Sequence, residues 1–349
     1  MEKVKFGIIG TGAIAVHHAA ALKAAANAEL AAVYDTVPER AEAFAAKQGC
    51  RAFRDRDAFL ASEIQAVTIG TPSGVHAAAA IPAANAGKHI LCEKPIEVTV
   101  EKADELLRAC EAHGVLLSSV FQSRFSESAQ TLRRAIAQGR FGVPVLASAS
   151  VRWYRNPEYY ATAQWRGTWA LDGGGALMNQ GIHTIDLLLY FNGDVAEVSG
   201  RFTRRLHQGI EVEDTVVALI TFANGSLGTF EASTACAPGF PRRVELSGTR
   251  GSAVIEADRI VRWQFDEEHP DDATIRDAGG DCGHPHGGAG DPNAISIEGH
   301  RLQIEELAAA ILEQRPLSTP GSEGRRTVEL VCAVYASARS GQPVRIQHA

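Results

Sequence analysis

Residues 4–9, VKFGII, form an apolar run that passes without a break into GTGAIA. Gly10, Gly12 and Ala15 fit the pattern G-x-G-x-x-G/A, and the helical stretch AVHHAAALKAAA follows directly. Strand, glycine turn and helix in that order leave little choice of fold. The glycines let the backbone turn tightly and approach a pyrophosphate, which rests on the helix N-terminus. The next strand, ELAAVY, ends in Asp35, roughly 20 residues beyond the glycines, where a carboxylate accepts the hydroxyls of an adenosine ribose. That carboxylate repels a 2′-phosphate, so the pattern favours NAD over NADP, although the nearby Arg40 pulls the other way.

The alternation continues. IQAVTIG, HILCE and VLLSSVF read as strands, and VHAAAAIPAANAG and EKADELLRACEAHG as helices. Such a pattern predicts a parallel sheet covered by helices on both faces, with ligands beyond the carboxyl ends of its strands. Those ends carry Gly10 to Gly12, Asp35, Thr71-Pro72-Ser73, Glu93-Lys94-Pro95 and Gln122. The residue before a proline is pushed into extended backbone. Lys94 therefore cannot join the helix that follows, and it projects from the strand end on the cofactor edge.

A chain of 349 residues exceeds one ordinary core. The expected division is a dinucleotide-binding Rossmann domain over 1–122 and a substrate-binding and oligomerisation domain over 123–349. Past residue 123 the texture changes to one helix, SESAQTLRRAIAQG, and then alternating strands joined by turns such as ANGS. An open, largely antiparallel mixed sheet follows from that pattern, with one face on a core and the other available to a partner or ligand.

Between those strands lies GGGALMNQGIHTIDLLLYFNG, in which Asp186 is the only formally charged residue. On a regular helix Asn179, His183 and Asp186 fall at i, i+4 and i+7, on one face. The stripe is either an internal polar network or the wall of a pocket. RWYRNPEYYATAQWRGTW holds three of the four tryptophans and three of the six tyrosines, interleaved with Arg152, Arg155 and Arg166. Aromatic faces with planar donors suit a polyol ring and a carboxylate or phosphate on it. An aromatic core corner or a subunit contact is the alternative reading. Residues 266–300 are polar and glycine-rich and predict a long loop, a candidate lid. Asp281, Cys282, His284 and His286 in it match no standard zinc spacing, so no metal is expected.

The net charge of −7 argues against a nucleic-acid or anionic-membrane partner. Entry into a strand at once leaves no room for a signal peptide. The six scattered cysteines, with no CxxC pair, suit reduced thiols. A cytoplasmic location is the resulting expectation.

GIIGTGAIA, TPSGVH, CEKPI, GALMNQGIHTIDLL and VYASARSGQPV together make the chain resemble the Gfo/Idh/MocA family of oxidoreductases over essentially its whole length. The resemblance implies a Rossmann domain joined to an α/β domain with an open mixed sheet. It also implies NAD(P)-dependent hydride exchange with a secondary alcohol on a sugar, sugar derivative or cyclitol. A homodimer or homotetramer, assembled through the exposed face of the second sheet, is implied as well. By resemblance, Lys94 contacts the reacting hydroxyl and the nicotinamide ribose, beside a cis Lys94–Pro95 bond, and His183 is the acid/base. Gly10, Thr11, Gly12, Ala13, Ile14, Asp35 and Arg40 hold the dinucleotide. Thr71, Pro72 and His76 line its nicotinamide end with Glu93 and Gln122, and Trp165 and Arg166 reach toward cofactor and substrate. Arg124, Arg152, Tyr154 and Asn179 complete the expected substrate contacts, and Asn179 stands with Lys94 and His183 among the expected catalytic residues. One position departs from the family: many members, inositol dehydrogenases included, have aspartate where this chain has Asn179. An amide orients a hydroxyl but cannot take its proton, which leaves the proton to His183 or Lys94 and points to modified or nucleotide-linked sugars. Two further activities stay open: an NAD-retaining enzyme that cleaves a glycosidic bond through transient oxidation, and a non-catalytic sugar- or dinucleotide-sensing regulator.

Overall fold

The structure is a computed structural model that describes residues 2–278 and 296–347. The chain divides into two units, one of residues 1–122 with 296–328, the other of 123–295 with 329–349. The first unit opens as β1 (Val4–Ile9), α1 (Ala13–Ala24), β2 (Ala28–Tyr34), α2 (Pro38–Gln48), β3 (Arg51–Phe53) and α3 (Arg56–Leu60). It continues as β4 (Ala66–Ile69), α4 (His76–Asn85), β5 (His89–Cys92), α5 (Val100–Ala112) and β6 (Leu117–Ser119). All strand pairs are parallel, in the order β3-β2-β1-β4-β5-β6. That order reverses between β1 and β4, and the crevice at such a reversal is where doubly wound sheets bind nucleotides. β4 is buried at every residue, as a strand covered on both faces must be.

The second unit begins with α6 (Glu127–Ala137), whose N-terminus Ser126 caps by accepting from the Ala129 N–H. It runs through β7 (Pro144–Arg152), α7 (Pro157–Ala161), a π-helical segment (Ala176–Gly181), α8 (Ile182–Asn192), β8 (Val195–Thr203) and β9 (Thr215–Phe222). β10 (Leu227–Ser233), β11 (Arg243–Gly248), β12 (Gly251–Glu256), β13 (Arg259–Phe265) and α9 (Asp272–Ala278) follow. Its sheet, completed by β14 (Val344–Arg345), has the order β13-β12-β11-β7-β10-β9-β8-β14; only the β7–β10 pair is parallel. The face bearing Ala147, Ala149 and Val151 is buried and packs on α8, and the alternate residues of β7 face away from it.

Two expectations need revision. The 123–349 domain is not continuous, because α10 (Glu298–Glu313) belongs to the first unit. Its Ile304, Leu307 and Ala308 are fully buried in one core with Phe6, Ile8, Ala19 and Leu22. The last helix, α11 (Gly321–Ser340), gives residues 321–328 to the first unit and the rest to the second. The loop expected over 266–300 contains α9, anchored by Asp272, which accepts from the Arg140 guanidinium and from Trp263 Nε1. Asp281, Cys282, His284 and His286 lie outside the described residues.

Candidate functional site

Gly10 leaves β1 with φ +89°, and a Cβ there would stand 3.0 Å from the Gly70 backbone. Only glycine makes that turn without strain. Gly12 is the N-cap of α1; it offers no side-chain cap, and the first turn holds no acid. A Cβ on Gly12 would meet nothing closer than Gly70 O at 4.0 Å, so the space before the helix is open. An uncapped twelve-residue helix with open space before it fits a pyrophosphate. At the end of β2, Asp35 Oδ2 accepts from the Thr11 N–H and hydroxyl at 2.8 Å, and Oδ1 accepts from the Val37 N–H. The carboxylate is thus aimed by the glycine turn, with acceptor capacity left on Oδ1. Thr71 Oγ1 at the end of β4 is buried without a hydrogen-bond partner, a polar atom a bound nicotinamide end could satisfy. Arg40 is exposed in the first turn of α2. The residues of the first unit therefore fit a dinucleotide.

At the end of β5 the structure separates the neighbours of Lys94. The Lys94–Pro95 bond is cis, as the resemblance implied. Glu93 is buried, contrary to its assignment as a cofactor contact: Oε1 meets His18 Nε2 at 2.9 Å and Oε2 accepts from the Lys94 backbone N–H. Burial pushes the Glu93 pKa up, but contacts with His18 and His300 outweigh it and hold the carboxyl well below its ordinary range. His76 is also turned inward, its Nδ1 2.7 Å from Pro95 O and its Nε2 2.9 Å from Thr71 O. Burial lowers its pKa, so the neutral ring donates to one carbonyl at a time and braces the chain rather than a ligand.

In the second unit the expected polar stripe splits. Residues 176–181 are π-helical, which changes the angular spacing ahead of α8. Asp186 is fully buried and takes a bidentate ion pair from Arg124, Nε at 2.8 Å and NH2 at 2.6 Å; the same guanidinium stacks on Tyr190. Arg124 is thereby spent on the fold and not available as a substrate contact. Asn179 and His183 remain half-buried. The Asn179 amide donates to Asp172 and its carbonyl accepts from Gln180, whose amide also donates to Tyr159 Oη at 2.9 Å. Arg155 reaches Gln180 Oε1 at 3.0 Å. Arg166 donates to Tyr159 Oη and lies over the rings of Tyr159 and Trp165, at 4.4 and 5.0 Å. Trp165, Arg166, Asn179 and, by helix position, His183 thus share one polar and aromatic cluster.

Tyr154 stands at its edge in a bridge to Ala235. Arg152 does not belong there: it alternates with Ala149 and Val151 and lies on the opposite sheet face, paired with Glu231. Asp172 and Gln180 were missed, since neither has a signature until the chain folds back on Asn179. The entry to the helix is fixed by Glu213, which accepts from the Ala176 and Leu177 N–H groups and from Tyr335 Oη.

Comparison with known proteins agrees with both units. Residues 4–121 match the family described as "Oxidoreductase family, NAD-binding Rossmann fold", and residues 129–254 match the "GFO/IDH/MocA C-terminal domain". The chain is 28% identical to an inositol 2-dehydrogenase of Rhizobium meliloti, covering 98% of this chain and 99% of that one. It is 28% identical to a 1,5-anhydro-D-fructose reductase of Ensifer adhaerens, covering 98% of each. The crystal structure of the WlbA dehydrogenase from Bordetella pertussis, in complex with NADH and UDP-GlcNAcA, superimposes with a TM-score of 0.88 at 32% identity over 100% of both chains.

Proposed function

Since the chain belongs to the GFO/IDH/MocA family of oxidoreductases, we propose that it is an NAD-dependent dehydrogenase of a sugar or nucleotide-linked sugar in which His183 and Lys94 act on one secondary hydroxyl. NAD supplies the hydride acceptor. The glycine turn and the N-terminus of α1 bind its phosphates, and Asp35 binds its adenosine ribose. His183 takes the hydroxyl proton, a step for which imidazole is the side chain of choice near neutral pH. Lys94 donates to the same oxygen and stabilises the charge that develops on it.

The observation that carries this reading is the Asn179 amide, held by Asp172 on one side and Gln180 on the other. It suits the orienting of a hydroxyl and accepts no proton, which supports an acid/base role for the imidazole of His183 beside Lys94. The guanidinium of Arg166, stacked on two aromatic rings, suits a carboxylate or phosphate on the substrate. That chemistry favours modified or nucleotide-linked sugars over a free cyclitol, and the similarity to the WlbA dehydrogenase, whose crystal holds UDP-GlcNAcA, supports the same choice. No helix among the described residues is long and apolar enough to cross a membrane, and a cytoplasmic setting is part of the reading. So is a homo-oligomer joined through the exposed face of the second sheet.

The test is NADH absorbance with the purified protein, NAD and a panel of sugars, sugar acids, inositols and nucleotide sugars, run beside Lys94→Ala and His183→Ala. Turnover on a sugar or nucleotide sugar that both variants abolish is expected. Turnover on inositol alone, or an undiminished rate in either variant, overturns the assignment.

A further inference from the structure

Glu93 stands one residue before the proposed catalytic lysine, yet its side chain is sunk in the first unit at 6% exposure between two histidines from distant elements. His18 of α1 is fully buried and His300 of α10 is 2% exposed. Both present Nε2 to the same carboxylate oxygen, His18 at a hydrogen-bonding 2.9 Å and His300 at an electrostatic 3.7 Å. The ring centroids lie 5.7 Å apart. The other carboxylate oxygen accepts from the Lys94 backbone N–H at 3.1 Å.

The unused nitrogens settle what this cluster is. Nδ1 of both rings is buried with no hydrogen-bond partner. A buried N–H left without an acceptor costs about 1–3 kcal/mol. In its neutral form either ring therefore keeps its proton on Nε2, toward Glu93, and leaves a bare lone pair at Nδ1. Two imidazoles and a carboxylate are also the composition of a metal site. A metal ion would need the Nε2 lone pairs and would drive both protons to Nδ1, where nothing accepts them, whereas metal-bound histidines ordinarily donate their second N–H. Burial lowers the His18 pKa and the Glu93 carboxyl stays ionised, in keeping with a neutral His18 that donates to a fixed negative charge. On the far side of the lysine, His76 braces the Pro95 carbonyl. The backbone that carries Lys94 is gripped from both flanks.

We infer that His18, Glu93 and His300 form a positioning clasp that holds the backbone at Lys94 in place for turnover, without touching substrate or cofactor. The inference rests on the reading of Lys94 as a catalytic group. A reacting group displaced by about 1 Å loses on the order of 10²-fold in rate. Substitution of any of the three should therefore act on kcat.

The experiment measures kcat, KM, NADH affinity by fluorescence titration and melting temperature for the full chain, with the ring that proves active in the panel above. His18→Leu, His300→Leu and Glu93→Gln are each expected to lose about 10²-fold in kcat with NADH affinity unchanged. His18→Gln and His300→Gln, whose amide nitrogen can stand where Nε2 stands, are expected to recover most of that rate. Wild-type kcat in folded leucine variants, with Lys94→Ala inactive, overturns the clasp and leaves the catalytic reading intact. Turnover that survives Lys94→Ala removes the reading itself. A loss confined to NADH affinity makes Glu93 a cofactor contact and also overturns the clasp. Nitrogen NMR of histidine-labelled wild type serves where a variant does not fold. A proton on Nε2 of both rings is expected; a neutral ring protonated at Nδ1 instead, or a stoichiometric metal by elemental analysis, overturns the inference.

Discussion

Asp35 binds the glycine turn before it binds anything else. Its Oδ2 takes two hydrogen bonds from Thr11 and its Oδ1 one from Val37, so the carboxylate proposed for the ribose is already oriented. A hydrogen bond to a charged group contributes about 1.5–3 kcal/mol. Asp35→Ala is accordingly expected to weaken NADH binding about 10- to 100-fold while NADPH binding changes less, because the repulsion of a 2′-phosphate goes with the carboxylate. Parallel fluorescence titrations with the two nucleotides measure this, and equal losses for both would remove Asp35 from the ribose site. The positions of Asp35 and Lys94 just beyond strand ends could be read from the sequence because each sits in a local backbone pattern. The inward turn of Glu93, His76 and Arg124 could not. It depends on partners such as His300 and Asp186, which only the fold brings near.

Among the elements, the π-helical segment ahead of α8 sets where Asn179 points. The sequence showed a buried helix with polar residues spaced for one face, and the face proved different because Ala176–Gly181 is not α-helical. The cause lies in the glycines before it. A Cβ on Gly175 would fall 1.7 Å from Glu213 O, so only a bare backbone can come close enough for the Glu213 carboxylate to accept from Ala176 and Leu177. Burial pushes the Glu213 pKa up to about 7 from an ordinary 4.5, against the pull of the Tyr335 and backbone hydrogen bonds. The folded state thus holds this proton more tightly than the unfolded chain does. Stability owed to the group is fully present below about pH 4.5 and is lost as pH rises toward 7. A shift of that size amounts to about 3 kcal/mol at 1.36 kcal/mol per pH unit. Glu213→Gln, which mimics the protonated acid, should lack that decline. Urea midpoints of the two proteins at acidic and neutral pH measure the difference, and parallel pH dependences would contradict it.

For the molecule as a whole, the parallel character of the first sheet was legible because strands and helices alternate in the sequence. The return of α10 to that unit was not, since an amphipathic helix does not announce which core it will cover. The second sheet's outer face leads to a prediction at this scale. Leu146 and Leu227 pair directly across β7 and β10, and Leu219 pairs with Thr229 one step along β9 and β10. Leu219 is 61% and Leu227 55% exposed, with Val217 and Leu146 beside them. A contiguous apolar stripe of this kind on a sheet face marks an association surface. Ion-paired Arg152–Glu231 and Arg243–Glu245 at its margin supply both signs of charge, as a self-complementary contact between two copies requires. A Leu219→Glu, Leu227→Glu double variant places two charges in that contact, where desolvating them is costly. Both side chains already meet solvent in the single chain, so its own packing should survive. Sedimentation is expected to show an oligomer for the wild type and a monomer for the variant, at unchanged melting of the single chain. A monomeric wild type, or a variant of undiminished mass, would show that this face is not where copies of the chain meet.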